Sequence, residues 1–110
     1  NVVHARFSLD DEVFIVMDSS LKHGFNFTPA ISFTVYCENQ EEVDYFWSKL
    51  TADGKEVECG WLEDKYGVSW QIVPTVFIKL ISQPDKEKAK RVMQAMMKMK
   101  KFDIKKLEEA

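Results

Sequence analysis

One stretch constrains the fold more than any other: an alternating apolar run that leads directly into a helical stripe. In AISFTVYC, residues 30–37, Ile31, Phe33, Val35 and Cys37 fall on one side and Ser32, Thr34 and Tyr36 on the other. A period of two predicts a strand with one apolar face. Asn39 then stands as a helix N-cap with Glu42 three residues on, the spacing of a capping box. Val43, Phe46, Trp47 and Leu50 recur at helical spacing, which predicts an amphipathic helix over 40–52. Asp53-Gly54 ends it, with Gly54 suited to a left-handed cap. The helix must bury its stripe, and the apolar face of the preceding strand is the obvious surface. The result is a layered α+β arrangement, with the second face of the sheet left free.

The flanking segments extend this frame. Residues 2–9 and 13–18 read as two strands of a hairpin around Asp10-Asp11-Glu12, and residues 19–29 as a loop. Residues 55–62 resume a strand, with Val57, Cys59 and Trp61 on one face. Asp64 to Gly67 is a turn, and residues 68–73 are a strand stopped by Pro74. Residues 75–82 fit either a strand or a helical turn leading away from the sheet. Asp85 predicts the cap of a helix over 86–99, with Ala89, Val92, Met93 and Met96 on its apolar side. Met97 and Met99 fall off that stripe and read as adaptable surface for a partner. Asp103 predicts a last short helix carrying Ile104 and Leu107.

The 110 residues suit one domain, and 45% hydrophobic with 30% charged residues is a globular balance. No apolar run approaches the roughly 20 residues of a membrane helix. The start, Asn1-Val2-Val3-His4, shows no secretory pattern and no initiator Met, so a trimmed or processed chain is expected. Residues 83–110 carry nine Lys/Arg against five Asp/Glu, whereas residues 1–82 carry six against thirteen. Lys98, Lys100 and Lys101 cluster, but without interleaved aromatics, and the whole chain is acidic at −3, so no nucleic-acid partner is expected. Cys37 and Cys59 are too few for a zinc motif and suit a reducing, cytoplasmic setting.

The free face of the sheet carries Ser32, Thr34 and Tyr36, and the strand at 68–73 adds Ser69 and Gln71. The hairpin can contribute His4, Arg6 and Asp18 to the same side. These eight residues are the expected ligand-binding set, with Arg6 favouring a polar or anionic ligand. His4 and Asp18 are the candidate catalytic pair, a base and its orienting carboxylate. The same alternation also fits an antiparallel sheet with one solvated face.

Three segments carry a resemblance to a known family. They are ECGWLEDKYGVSWQIVP at 58–74, AISFTVYCENQEEVDYFWSKL at 30–50, and the tail from Pro84 to Ala110. Together they resemble the PhnB-like family, whose members are often labelled 3-demethylubiquinone-9 3-methyltransferase-like. The family lies within the glyoxalase/bleomycin-resistance/extradiol-dioxygenase, or vicinal oxygen chelate, superfamily. The resemblance implies paired βαβββ modules forming a curved, mostly antiparallel sheet around a cup. On that plan one domain spans 1–110. Residues 1–29 are the remnant of an N-terminally incomplete first module, 30–82 the second module with 75–82 as its closing stretch, and 83–110 the C-terminal helices. It also implies a homodimer and a small-molecule ligand.

Metal enzymes of the superfamily hold a divalent cation on cup-facing strands. The positions available for it here are Asp18, Ser32 and Gln71. One carboxylate, a hydroxyl and a neutral amide are a poor set for a hard cation, so neither a metal nor another cofactor is expected. The four glycines stand isolated and form no nucleoside-cradling loop, so no methyl-transfer chemistry can be derived from these residues. The alternative is a metal-dependent or His/Asp-based enzyme of the same superfamily.

Overall fold

A computed structural model describes residues 2–110. The strands are β1 (Ala5–Leu9), β2 (Glu12–Val16), β3 (Ser32–Cys37), β4 (Lys55–Glu56), β5 (Trp61–Glu63) and β6 (Ser69–Pro74). The helices are α1 (Gln40–Thr51), α2 (Thr75–Ile81), α3 (Lys86–Met96) and α4 (Ile104–Glu109). The fold is α+β with two sheets, mostly antiparallel and open rather than closed, and with C-terminal helices after them. One sheet is the β1–β2 hairpin. The other has the order β3-β6-β5-β4, in which β3 and β6 run parallel. With α1 between β3 and β4, this is one complete βαβββ module. No described helix is long and apolar enough to cross a membrane.

The module closes as its capping and patterning require. Asn39 Oδ1 accepts from the Glu42 amide at 2.9 Å. The Glu42 carboxylate reaches past the cap to the Glu38 amide at 2.7 Å. α1 buries Val43 and Trp47, and these join Cys37, Leu62 and Ile72 in the core. Each fully buried aliphatic side chain here contributes about 1.5–3 kcal/mol. The Trp47 indole donates to Glu56 Oε1 at 2.6 Å, fixing β4 against the helix. At the end of α1 the left-handed residue is Asp53, with φ 58°, and not Gly54. Gly54 is needed for another reason: a Cβ there would stand 2.2 Å from the Glu63 carbonyl oxygen.

One expectation is corrected, and one open alternative is resolved. Residues 55–62 are not one strand but the two short strands β4 and β5, paired antiparallel with Lys55 opposite Glu63. Between them Cys59 and Gly60 are left-handed, at φ 60° and 82°. The Trp61 amide donates back to the Glu58 carbonyl, so the alternation of Val57, Cys59 and Trp61 spans a turn. Residues 75–81 form α2 despite their β-branched content. The spacing of Phe77, Leu80 and Ile81 packs them on the core, and this tertiary gain overrides strand propensity. The module therefore takes its three later strands from 55–74 and none from 75–82.

The C-terminal region forms two helices around a non-helical strap. α3 stops at Met96 rather than at 99, so residues 97–99 no longer keep its helical phase. Met99 turns in and packs on the core, while Met93 and Met97 are exposed. The Met99 and Lys100 carbonyls accept from the Cys59 and Gly60 amides at 2.8 and 2.7 Å. Gln40 holds the strap from the other side, donating to the Phe102 carbonyl at 2.9 Å and accepting from the Ile104 amide at 2.8 Å. Lys101 bonds Asp44 at 2.8 Å, and this contact, helped by Gln40, holds the Asp44 carboxyl below its usual range.

The hairpin turns through Asp10 and Asp11, both left-handed at φ 49° and 68°, as a two-residue turn of the primed type requires. It projects from the module. The radius of gyration, 16.7 Å, exceeds the roughly 13 Å of a compact chain this long. Its attachment is aromatic: Phe7 stacks on Phe14 at 5.3 Å, and Phe14 meets Phe33 edge-on at 5.5 Å. Phe33 in turn lies 5.2 Å from Trp70. Asp64 secures that last ring. Its carboxylate accepts from the Tyr66 and Val68 amides and, at 2.9 Å, from the Trp70 indole.

Four outcomes are expected from this packing. Gly60→Ala places a Cβ 2.5 Å from the buried Phe102 ring at a left-handed residue. It should cost about 2–4 kcal/mol in urea denaturation. Gly24→Ala, with open space around it, should be close to neutral. Asp64→Ala removes three hydrogen bonds at once and should cost about 2–4 kcal/mol by the same measurement. Burial, aided by Glu42 and Glu38, pushes the Cys37 thiol up from 9.0 to about 11. The unfolded chain loses that proton first, so the associated stability is complete below pH 9 and is lost as pH rises toward 11. Urea midpoints between pH 8 and 11 should fall less steeply in Cys37→Ala than in the parent chain.

Candidate functional site

The sheet separates its side chains as the alternation predicts. Val35, Cys37, Leu62 and Ile72 pack with α1. The parallel register sets Ser32 against Ser69, Thr34 against Gln71, and Tyr36 against Val73, so these six share the opposite face. Trp61 pairs with Gln71 and stands on the same face. A cleft of about 240 Å³ opens there. Thr34, Tyr36 and Gln71 supply its polar groups, and Trp61 and Val73 flank them. Beyond the sheet, Phe77 and Ile78 of α2, Met96 of α3, Phe102 of the strap and Cys59 complete the wall.

The wall is fixed by packing. The Phe77 and Phe102 rings meet at a tilt, 5.0 Å between centroids, and both are buried. Phe102 presses on Gly60, the one residue type that admits the ring there. At the floor, the Gln71 amide donates from Nε2 to Ser32 Oγ at 3.0 Å. That bond orients the carboxamide, whose Oε1 has no partner among the described residues. A second hollow, of about 460 Å³, lies where α1 and α4 begin. Three of its polar side chains are engaged in the fold itself: Asn39 and Asp103 cap helices, and Gln40 holds the strap.

The expected ligand-binding set divides in two. Thr34, Tyr36 and Gln71 line the cleft, and Ser32 stands behind Gln71. Ser69 shares the face by register but is buried at 4% exposure. His4, Arg6 and Asp18 are exposed on the hairpin side and do not line the cleft. Asp18 Oδ2 accepts from the Val2 amide at 2.7 Å, and among the described residues no hydrogen bond or ion pair joins it to His4. The structure does not gather Asp18, Ser32 and Gln71 around one point of the cleft: Gln71 lines it, Ser32 stands behind Gln71, and Asp18 lies outside it on the hairpin side. Among the described residues no group of three His, Cys, Asp or Glu side chains could hold a metal.

Sequence reasoning missed the apolar wall. Trp61 was legible in principle, since in β5 it points opposite to Leu62, but the merged strand hid its pairing with Gln71. Phe102 lies outside every regular element, and no periodicity announces it.

Comparison with known proteins places this geometry. The family model for 3-demethylubiquinone-9 3-methyltransferase matches residues 1–73. Among solved structures the chain is similar to a PhnB protein from Bacillus cereus, provisionally described as a 3-demethylubiquinone-9 3-methyltransferase. The identity is 43% and the TM-score 0.62. The match covers 66% of this chain and 64% of that one. It is also similar in fold to protein PA1353 from Pseudomonas aeruginosa, at 16% identity and TM-score 0.55, over 64% and 61% of the two chains. A search of curated proteins gives no significant match. The matched span takes in the hairpin, β3, α1 and the β4–β6 meander through Val73, and on it the chain belongs to the 3-demethylubiquinone-9 3-methyltransferase-like, PhnB-like family.

Proposed function

We propose that this chain binds a small polar metabolite in the cleft on the free face of the β3–β6 sheet. The observation that carries the reading is convergence. Hydroxyl and amide groups of Thr34, Tyr36 and Gln71 meet the Trp61 ring in one concave space backed by the buried Phe102. A few polar groups among apolar walls are what orient and enclose a small ligand. The reading needs neither a resident metal nor S-adenosylmethionine. Nothing in the arrangement favours a His4/Asp18 base, since the Asp18 carboxylate is already engaged by a backbone amide.

A cytoplasmic homodimer belongs to the same proposal. The hairpin and the loop after it expose Val13, Ile15, Met17, Leu21, Phe25 and Phe27, an apolar surface suited to a second copy of the chain. β3 is also an edge strand whose outer hydrogen-bonding groups are open to pairing.

Thermal unfolding against a panel of neutral and charged metabolites tests the cleft. A bound compound should raise the unfolding temperature with a concentration dependence set by its affinity. Thr34→Phe fills the cleft from an exposed strand position that tolerates an aromatic. It should abolish the shift while leaving the ligand-free unfolding temperature nearly unchanged. A shift that survives Thr34→Phe, or no shift with any compound, would count against the proposal.

A further inference from the structure

We infer that the cleft selects an uncharged ring compound bearing a hydrogen-bond donor, and discriminates against anions; this rests on the cleft being the ligand site. The first observation is the charge of its wall. Charged residues make up 30% of the chain, yet none of the ten residues lining the cleft is Lys, Arg, His, Asp or Glu. An anion entering it would lose water without gaining a counter-charge, whereas a neutral ring loses little. Arg6, the guanidinium expected to favour an anion, sits on the hairpin outside the cleft.

The second observation is the shape and softness of the wall. Trp61 and Tyr36 offer aromatic surface, the buried Phe77 and Phe102 back it from the core, and Met96 adds a polarizable thioether. Such groups favour a flat, polarizable body. A volume of about 240 Å³ admits one or two fused rings and little more.

The third observation is the polarity of the floor. Gln71 spends an amide N–H on Ser32 Oγ, which leaves its Oε1 as the unengaged group among the described residues. An oriented carbonyl oxygen with no donor of its own asks for a hydroxyl or N–H on the ligand. Thr34 and Tyr36 carry hydroxyls that rotate to donate or accept, so they complete the pattern without dictating it.

The test uses a pair of probes matched in shape and differing in charge: 2-naphthol and 2-naphthoate, titrated at pH 7 into the full chain labelled with nitrogen-15. 2-Naphthol should move the Trp61 indole and Gln71 side-chain resonances and bind at least about tenfold more tightly than 2-naphthoate. Gln71→Leu should weaken 2-naphthol about fivefold to tenfold and leave 2-naphthoate unchanged. Ser32→Ala, which keeps the acceptor but frees its orientation, should give a smaller loss in the same direction and covers the case in which Gln71→Leu does not fold. If 2-naphthoate binds as tightly or more tightly at the same resonances, the selectivity is wrong while the cleft stands as a ligand site. If neither probe moves the Trp61 and Gln71 signals, both inferences fall.

Discussion

The Asp64 carboxylate organises more of this molecule than its position in a surface turn suggests. Two of its bonds, to the Tyr66 and Val68 amides, fold the chain back between β5 and β6. Its second oxygen takes the Trp70 indole N–H. With that ring anchored, Phe33 has a partner, Phe14 packs on Phe33, and Phe7 stacks on Phe14. One acidic side chain thus stands at the start of a relay of aromatic contacts that ends in the hairpin. Such contacts contribute about 0.5–1.5 kcal/mol each beyond simple burial, so the docking of the hairpin is sensitive to the first link.

The cleft depends on a separate set of constraints. Its floor comes from strand pairing, which brings Thr34 beside Gln71 and Gln71 beside Trp61. Its far wall comes from a segment with no regular structure, held in place by backbone bonds from Cys59 and Gly60 and by the two-sided grip of Gln40. Gly60 serves both: its left-handed backbone makes the β4–β5 turn, and its missing side chain makes room for Phe102. Turn and wall therefore cannot be altered independently.

The parts of this fold legible in the sequence are those specified by local periodicity. β3 and α1 are readable directly from Phe33/Val35/Cys37 and from Val43/Phe46/Trp47/Leu50, although Ile31, expected on the covered face, lies ahead of β3 and is exposed. Asn39, Asp85 and Asp103 each cap a helix through their own side chains. The division of the sheet into a covered and a free face was legible for the same reason. Where tertiary contact decides, periodicity misleads. Val57, Cys59 and Trp61 alternate across a turn, and Phe77 draws residues of high strand propensity into α2. Half of the site shows the same limit. Thr34, Tyr36 and Gln71 are visible as one face of two strands, whereas Phe102 reaches the cleft only through the path of the C-terminal strap.

The parallel pairing of β3 with β6 has a consequence for how the molecule is made. Every other strand neighbour in the module lies one short turn away in sequence, while β3 must wait for the last strand of the sheet. Closing so long a loop is slow, because entropy is lost before any contact compensates for it. A nascent chain leaving the ribosome would hold Ser32–Cys37 without a neighbour until Ser69–Pro74 emerges, with α1 its nearest cover against premature association.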